Sequence, residues 1–231
     1  MADNYLENRM EDYRKGKPAY RQKKTSTGRK PGEVTFQLKP KRIFVPFGFE
    51  GDGREVIKMF VSYGCKVAFC CCDDSYGNPF AQETGARCLP IDPSDMKGLE
   101  EGMDTLFHDW GDIDLIIHIP DIVNKLRFIT GESLPKPEKM AKYFNEELLP
   151  LYTIAHRFMD YRASLPVPNP YGRLIVVDYS FTLSTALLHT LKGPLILRGI
   201  DTAVVTKDTP EKIARDCLME ALREPEIDPE N

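Results

Sequence analysis

The hydrophobic positions in the first half of the chain predict a strand, a turn, a helix and a second strand, in that order. Residues 43–45 are a short apolar run that leads into the glycine-rich segment 48–53, and residues 67–72 form a second apolar run. Between them, apolar residues recur at helical spacing, namely Val56, Ile57, Phe60 and Val61. Helical spacing between two short apolar runs indicates a β-α-β unit.

The same alternation continues through the rest of the chain. Further apolar runs predict strands at 88–91, 114–119, 173–177 and 203–206. Helical patterns begin near Met96, Glu138, Ser180 and Pro210, the second with a kink at Pro150. We therefore expect an α/β fold, a doubly wound Rossmann-like three-layer α/β/α domain with a parallel sheet of about six strands.

The glycines of segment 48–53 suit a nucleotide. Gly48, Gly51 and Gly53 would let the backbone approach a pyrophosphate, which the N-terminus of the following helix attracts. Asp73 and Asp74 follow the second strand, where an acidic residue can bind a ribose hydroxyl. The alternative is a tight strand-to-helix turn that binds nothing.

Length and composition fit one globular domain with an appendage. The chain has 231 residues, of which 42% are hydrophobic and 29% charged, enough for one sizeable core. No apolar stretch approaches the ~20 residues that span a bilayer, and residues 1–4 lack the features of a secretory signal. We expect a cytoplasmic protein that does not enter a membrane.

Charge separates an N-terminal arm, residues 1–40, from the domain at 41–231. The arm has ten Lys or Arg and five Asp or Glu, so it carries about +5, and the remainder of a chain of net charge −4 carries about −9. Basic residues interleaved with Tyr13 and Tyr20 are the alternative sign of a nucleic-acid site. An acidic domain opposes polyanion binding, so we favour an arm that packs on acidic protein surface.

The cysteines indicate packing more than chemistry. Cys70, Cys71 and Cys72 are consecutive on a predicted strand, and the six cysteines of the chain contain no Cys-x-x-Cys spacing for zinc. We expect buried thiols in a reducing compartment and no metal site, since apolar surroundings raise a thiol pKa and disfavour a redox role.

Between residues 41 and 224 the chain resembles the short-chain dehydrogenase/reductase family. The resemblance rests on an ordered set of motifs: Gly48/Gly51/Gly53, Gly64-Cys-Lys-Val67, Ile91-Asp-Pro-Ser-Asp95, Gly111-Asp-Ile-Asp-Leu-Ile-Ile117, Asn145, Gly172-Arg-Leu-Ile175 and Thr209-Pro-Glu-Lys-Ile-Ala214. It implies NAD or NADP as the ligand, with Asp92 beside the adenine and Asn145 holding a water relay. The candidate cofactor-binding residues are Gly48, Phe49, Gly51, Gly53, Asp73, Asp92 and His118.

Two departures from the family concern the nucleotide half. Gly48 and Gly51 have two residues between them where the family usually has three. After the fourth strand, the family's Asn-Asn-Ala-Gly is replaced by His118-Ile119-Pro120-Asp121. We therefore expect a shorter phosphate loop and a changed backbone beside the cofactor.

The larger departure concerns catalysis. The family uses a Tyr to pass a proton and a Lys four residues later, and those positions hold Phe181 and Thr185. The long substrate lid and the closing seventh strand are also missing from the sequence pattern. Weak catalytic candidates remain: His118, Tyr179 and Ser180 follow or end predicted strands, and the resemblance places Asn145 in the helix that shapes the active site.

These patterns predict a truncated, catalytically degenerate member of this family that binds a dinucleotide and acts as a sensor, scaffold or non-catalytic subunit. The alternatives are an active NAD(P)-dependent oxidoreductase with unusual catalytic groups, such as Tyr179 with His118, and a structural oligomeric protein without a ligand. Asp73 and Asp74 slightly favour NAD, because they would repel a 2′-phosphate.

A homodimer or homotetramer is the expected assembly. The long helix that begins near Glu138 looks like the family's dimerisation helix, and its proposed contact face carries Met140, Phe144, Leu148 and Leu151.

Overall fold

A computed structural model describes residues 41–49, 51–119, 136–165, 171–178, 183–206 and 208–223. The N-terminal arm lies outside these ranges, as do Tyr179, Ser180 and Phe181. The predicted arm and its partner therefore stay predictions.

Six parallel strands form one sheet in the described residues. They are β1 Arg42–Val45, β2 Lys66–Cys70, β3 Arg87–Leu89, β4 Leu115–His118, β5 Gly172–Asp178 and β6 Ile200–Thr206. Their spatial order is β3-β2-β1-β4-β5-β6. The strands from β1 to β3 are added in one direction and those from β4 to β6 in the other, so the neighbours β1 and β4 mark the switch point of the sheet. The predicted doubly wound α/β fold with about six parallel strands is confirmed.

Helices cover both faces of the sheet. They are α1 Gly53–Ser62, α2 Asp74–Thr84, α3 Met96–Trp110, α4 Pro137–Tyr143, α5 Leu149–Ser164, α6 Leu183–Ile196 and α7 Pro210–Leu222. A π-helical turn, Phe144–Leu148, joins α4 to α5. Successive residues of β1 divide between two cores, because Ile43 and Val45 pack with α1 and α7 whereas Phe44 packs with α3 and α5.

Local chemistry explains where several helices begin and end. Thr209 accepts a hydrogen bond from the Lys212 amide, and Pro210 follows it at the first helical position of α7. Gly85 and Gly111 end α2 and α3 with φ of 79° and 75°, the left-handed conformation that a helix C-terminus requires.

Three element predictions need correction. Helix α2 was not predicted, because Gly77 and Pro79 interrupt its pattern. Strand β2 ends at Cys70 rather than 72, and Cys72 is exposed whereas Cys70 and Cys71 are buried as expected. Strand β6 begins at Ile200 rather than 203, so it is seven residues long.

The helix near Glu138 has a different geometry from the one predicted. It is interrupted by the π turn just before Pro150, close to the predicted kink. A π turn has one extra residue in its hydrogen-bonded ring, so the outward face shifts by about one position. Leu151 is therefore fully buried in the core, and the exposed apolar residues here are Phe144, Leu149 and Tyr152.

Two ion pairs, one partly buried and one almost fully buried, lie at the amino edge of the sheet. Arg42 binds both carboxylate oxygens of Asp114, at 2.7 and 2.9 Å, so the strand entries of β1 and β4 are tied together. Arg162 reaches Asp112 at 3.1 Å, and both side chains are almost fully buried. Burial raises the pKa of the Asp112 carboxyl and lowers that of the Arg162 guanidinium. These pairs stabilise the amino edge of the sheet. The glycine-rich segment 48–53, called the glycine turn below, follows β1 at the opposite, carboxyl edge.

Candidate functional site

The candidate site lies at the carboxyl edge of the sheet, at the switch point between β1 and β4. In open parallel sheets, ligands bind in the crevice that forms where neighbouring connections leave in opposite directions. Residues 46–49 leave β1 there, and residues 51 and 52 lead directly into α1. The site therefore has the glycine turn on one side and the end of β4 on the other.

Two glycines of the turn are in direct backbone contact. A Cβ on Gly53 would lie 2.3 Å from both the Cα and the carbonyl oxygen of Gly48. A Cβ on Gly48 would in turn lie 2.6 Å from Val45 Cγ1 and 2.9 Å from Ile57 Cδ1. Both positions therefore require glycine so that α1 can start close to the end of β1.

Gly51 has a different role in the same turn. Its φ is +56°, which side chains other than glycine adopt at a cost, and a Cβ there would have no heavy atom within 4 Å. A turn that needs glycine for its conformation, and that leaves open space above it, gives the close backbone approach that a pyrophosphate needs. The residues therefore fit such a group.

Phe49, a predicted cofactor residue, packs on the protein itself. Its ring stacks on Phe69 with centroids 5.8 Å apart and meets the edge of Phe80 at 5.9 Å. The Arg54 guanidinium covers it at 4.5 Å from the ring centroid, and Arg54 Nε donates to the Phe49 carbonyl at 2.9 Å. Phe49 therefore anchors the glycine turn to α2, and Arg54 was not among the predicted site residues.

Asp73 caps a helix. Its Oδ1 accepts hydrogen bonds from the Ser75 amide at 2.9 Å and from the Ser75 hydroxyl at 2.5 Å, which starts α2. The two residues that directly follow β2 are Cys71, whose thiol donates to the Asp73 carbonyl at 3.3 Å, and the exposed Cys72. The carboxylate predicted for the ribose is thus also a structural part of the α2 N-terminus.

Asp92 makes a similar local bond. Its Oδ1 accepts from the Ser94 amide at 2.9 Å and from the Ser94 hydroxyl at 2.7 Å, in the turn between β3 and α3. It follows the strand β3 at the carboxyl edge, as predicted. Its proximity to an adenine stays a prediction.

His118 is the last residue of β4 and is 1% exposed. The edge of its ring meets Phe47 of the glycine turn, with ring centroids 5.2 Å apart. His118 therefore joins β4 to the turn at the switch point. Its predicted roles in cofactor binding and in catalysis stay predictions.

Of the weak catalytic candidates other than His118, Asn145 lies in the described part of the chain. Asn145 is exposed on the π turn, which contacts α6. Tyr179 and Ser180 lie outside the described residues. Their catalytic roles stay untested.

The family's lysine position holds a structural hydrogen bond. Thr185 donates through its hydroxyl to the carboxylate of Asp178, which is the last residue of β5 and 1% exposed. The hydrogen bond stabilises Asp178, because a buried polar group without one costs about 1–3 kcal/mol and a charged group costs more.

The described residues hold neither a cluster of metal ligands nor a membrane-spanning helix. Within the described ranges, no three His, Cys, Asp or Glu side chains converge into a metal site. Among the helices that the structure describes, none is both long and apolar enough to cross a bilayer.

Comparison with known proteins shows the fold. No family model matches the chain. A short-chain dehydrogenase/reductase from Serratia marcescens is 17% identical, with a TM-score of 0.64, over 80% of this chain and 91% of that one. A metagenomic short-chain oxidoreductase in complex with NADP is 13% identical, with a TM-score of 0.63, over 81% and 93% of the two chains. BdcA of E. coli, in complex with NADPH, is 18% identical, with a TM-score of 0.60, over 78% and 86%. This chain therefore has the fold of the short-chain dehydrogenases/reductases.

Proposed function

We propose that this protein binds a nicotinamide dinucleotide at the glycine turn and acts as a sensor, scaffold or non-catalytic subunit. The observation that carries the binding half is the backbone contact of Gly53 with Gly48 beside the open, left-handed Gly51. Proteins of the same fold are described in complex with NADP, NADPH and NAD, which supports a ligand of this class.

The absence of catalysis is supported by the chemistry at the family's catalytic positions. Phe181 has no proton to give, and the hydroxyl of Thr185 is bonded to Asp178. The family's reaction needs a phenol and a nearby cation, and general acid-base catalysis contributes about 10²- to 10⁴-fold. Without a phenol and a cation at those two positions, the family's usual route for passing a proton to or from a substrate carbonyl has no donor.

We also propose that this protein associates with a second copy of itself. Phe144, Leu149 and Tyr152 are each more than 40% exposed and lie along the π turn and the start of α5. A contiguous strip of exposed large apolar side chains favours a protein interface, and a second copy of this chain is the partner we propose. The cytoplasmic location stays a prediction.

Thermal unfolding with a panel of nucleotides tests the binding half. A ligand at 100 times its dissociation constant stabilises the folded state by ~2.7 kcal/mol, so NAD(H) or NADP(H) should raise the melting temperature. Gly51→Val should remove this shift, because the side chain strains the turn and occupies the space above it. Gly111→Val is the matched control, since Gly111 also has a positive φ and open space but ends α3 away from the site.

The two outcomes are distinct. In the control variant, the melting temperature of the free protein falls but the nucleotide shift persists. If no dinucleotide or mononucleotide stabilises the wild-type protein at millimolar concentration, the turn is structural and the proposal is wrong.

A further inference from the structure

Arg54 is fixed across the glycine turn by contacts to two elements. Its Nε donates to the Phe49 carbonyl at 2.9 Å, and its Cζ lies 4.5 Å from the ring centroid of Phe49 and 5.1 Å from that of Phe80. Phe49 belongs to the turn and Phe80 to α2. The guanidinium therefore lies between the turn and α2, on a shelf of two aromatic rings.

The shelf leaves most of the guanidinium available. A guanidinium has five N–H donors, of which Nε supplies one to Phe49. Arg54 is exposed, and no ion pair joins it to a carboxylate within the residues described. A planar cation held flat by ring contacts is already oriented for bidentate contact with an anion such as a phosphate.

The position of the shelf corresponds to one part of a dinucleotide. When the pyrophosphate lies on the turn, the adenosine ribose lies beside the end of the second strand. Phe69, on which Phe49 stacks, is the residue before the last one of β2. Arg54 is thus on the side of the turn that faces the ribose, and the 2′ position is the ribose substituent that differs between NAD and NADP.

Asp73, the carboxylate predicted to bind the ribose, is less suited than Arg54 to distinguish the substituents at the 2′ position. Asp73 uses Oδ1 to hold the Ser75 amide and hydroxyl, and it is separated from the end of β2 by two neutral residues, Cys71 and Cys72. In NAD sites, an acidic side chain accepts hydrogen bonds from the ribose hydroxyls. Asp73 has one carboxylate oxygen already engaged as a helix cap, so less of it is available for this contact.

We propose that Arg54 is a specificity-determining residue that binds the adenosine 2′-phosphate, so that the site prefers NADP(H) to NAD(H). This inference rests on the proposed function and gives its ligand. It differs from the slight preference for NAD that Asp73 and Asp74 predict from the sequence. Asp73 is engaged with Ser75, whereas Arg54 can donate direct, charge-assisted hydrogen bonds to a phosphate.

Calorimetric titration of the full chain with NADPH and with NADH tests the proposal. We expect NADPH to bind about tenfold or more tightly, and Arg54→Gln to remove that difference while changing the NADH affinity by less than about twofold. Arg54→Lys keeps the charge but loses the planar fork, so it should retain only part of the preference. Arg198→Gln is the control, because Arg198 is an exposed arginine in the turn before β6.

Three results would overturn the proposal. NADH binding as tightly as NADPH to the wild-type protein is the first. Equal losses for both cofactors in Arg54→Gln, in a variant whose circular dichroism is unchanged, would assign Arg54 to packing on Phe49 alone. Binding of neither cofactor would overturn the proposed function as well, and thus differs from a failure of the Arg54 assignment, in which NADH still binds.

Discussion

Gly53 lies so close to Gly48 that a single methyl group would not fit between them. A Cβ at position 53 would be 2.3 Å from the Gly48 Cα and carbonyl oxygen, and backbone atoms cannot rotate away as a flexible side chain can. The contact is what allows α1 to begin immediately after the turn that leaves β1. It links the stability of the domain to the shape of the proposed nucleotide site.

Gly53→Ala should destabilise the protein by about 1–3 kcal/mol, the cost of overpacking a close contact. Gly193→Ala is the control, because Gly193 is an exposed residue within α6 with open space around its Cβ position, and alanine there should stabilise by up to ~1 kcal/mol. Urea unfolding measures both. Equal midpoints for Gly53→Ala and the wild type would mean that the two glycines are not in contact.

Oxidoreductase turnover should be at background with common alcohols, ketones and sugars, because the positions of Phe181 and Thr185 supply neither the proton nor the cation. Spectrophotometric assay of NADH and NADPH consumption is the measurement. Phe181→Tyr combined with Thr185→Lys should not restore activity, since the sequence also lacks the substrate lid. Steady turnover by the unaltered protein that is lost in Tyr179→Phe or His118→Ala would show a repositioned catalytic group and contradict the degenerate assignment.

The protein should form a homodimer or homotetramer at tens of micromolar. Tyr152→Glu places a charge in the exposed apolar strip and should shift the assembly toward the monomer. Gln82→Glu, at an exposed position in α2, is the control that tests whether any added charge has the same effect. Light scattering measures the mass of each. A wild-type protein that is monomeric at this concentration is incompatible with the proposed interface.

Asp114 should stabilise the fold at neutral pH and lose that effect in acid. Burial alone would raise the pKa of its carboxyl, but the hydrogen bonds and charge of Arg42 outweigh burial and lower it below the ordinary value. A lowered folded-state pKa means that the stabilisation is complete above the ordinary pKa near 3.8 and is lost as the pH falls through the folded-state value.

Asp114→Asn should therefore cost about 1.5–3 kcal/mol at pH 7, the range for hydrogen bonds to charged groups. The difference from the wild type should shrink below pH 4 in urea unfolding curves. Asp109→Asn, which removes an exposed pair with Arg87, should have little effect at either pH. A constant difference between Asp114→Asn and the wild type across this range would mean that ionisation of Asp114 is irrelevant to the contact.

The parallel sheet was predictable because its strands are buried on both faces and therefore read as short, almost continuous apolar runs. The β1-turn-α1 unit was predictable as well, since Gly48, Gly51 and Gly53 mark a turn with unusual backbone needs. Helix α2 was missed because Gly77 and Pro79 weaken a pattern that the cap at Asp73 and tertiary packing restore.

The proposed contact face and the residue proposed to bind at the ribose could not be predicted from the sequence, because both depend on three-dimensional geometry. The π turn before Pro150 shifts the helical phase, so Leu151 is buried in the core, although the resemblance to the family's dimerisation helix placed it on the contact face. Asp73 has the right residue type for a ribose, but whether its oxygen is engaged depends on the geometry of Ser75. The role proposed for Arg54 rests on its contacts with the rings of Phe49 and Phe80, which are 5 and 26 positions away in sequence.

The central claim, that the glycine turn holds a nicotinamide dinucleotide, is tested most directly by isothermal titration of the wild-type protein. We predict saturable binding of NADPH with one site per chain, and loss of the binding heat in Gly51→Val but not in Gly111→Val. Titrations that show no heat, together with no shift in melting temperature at millimolar NADPH and NADH, would contradict the account.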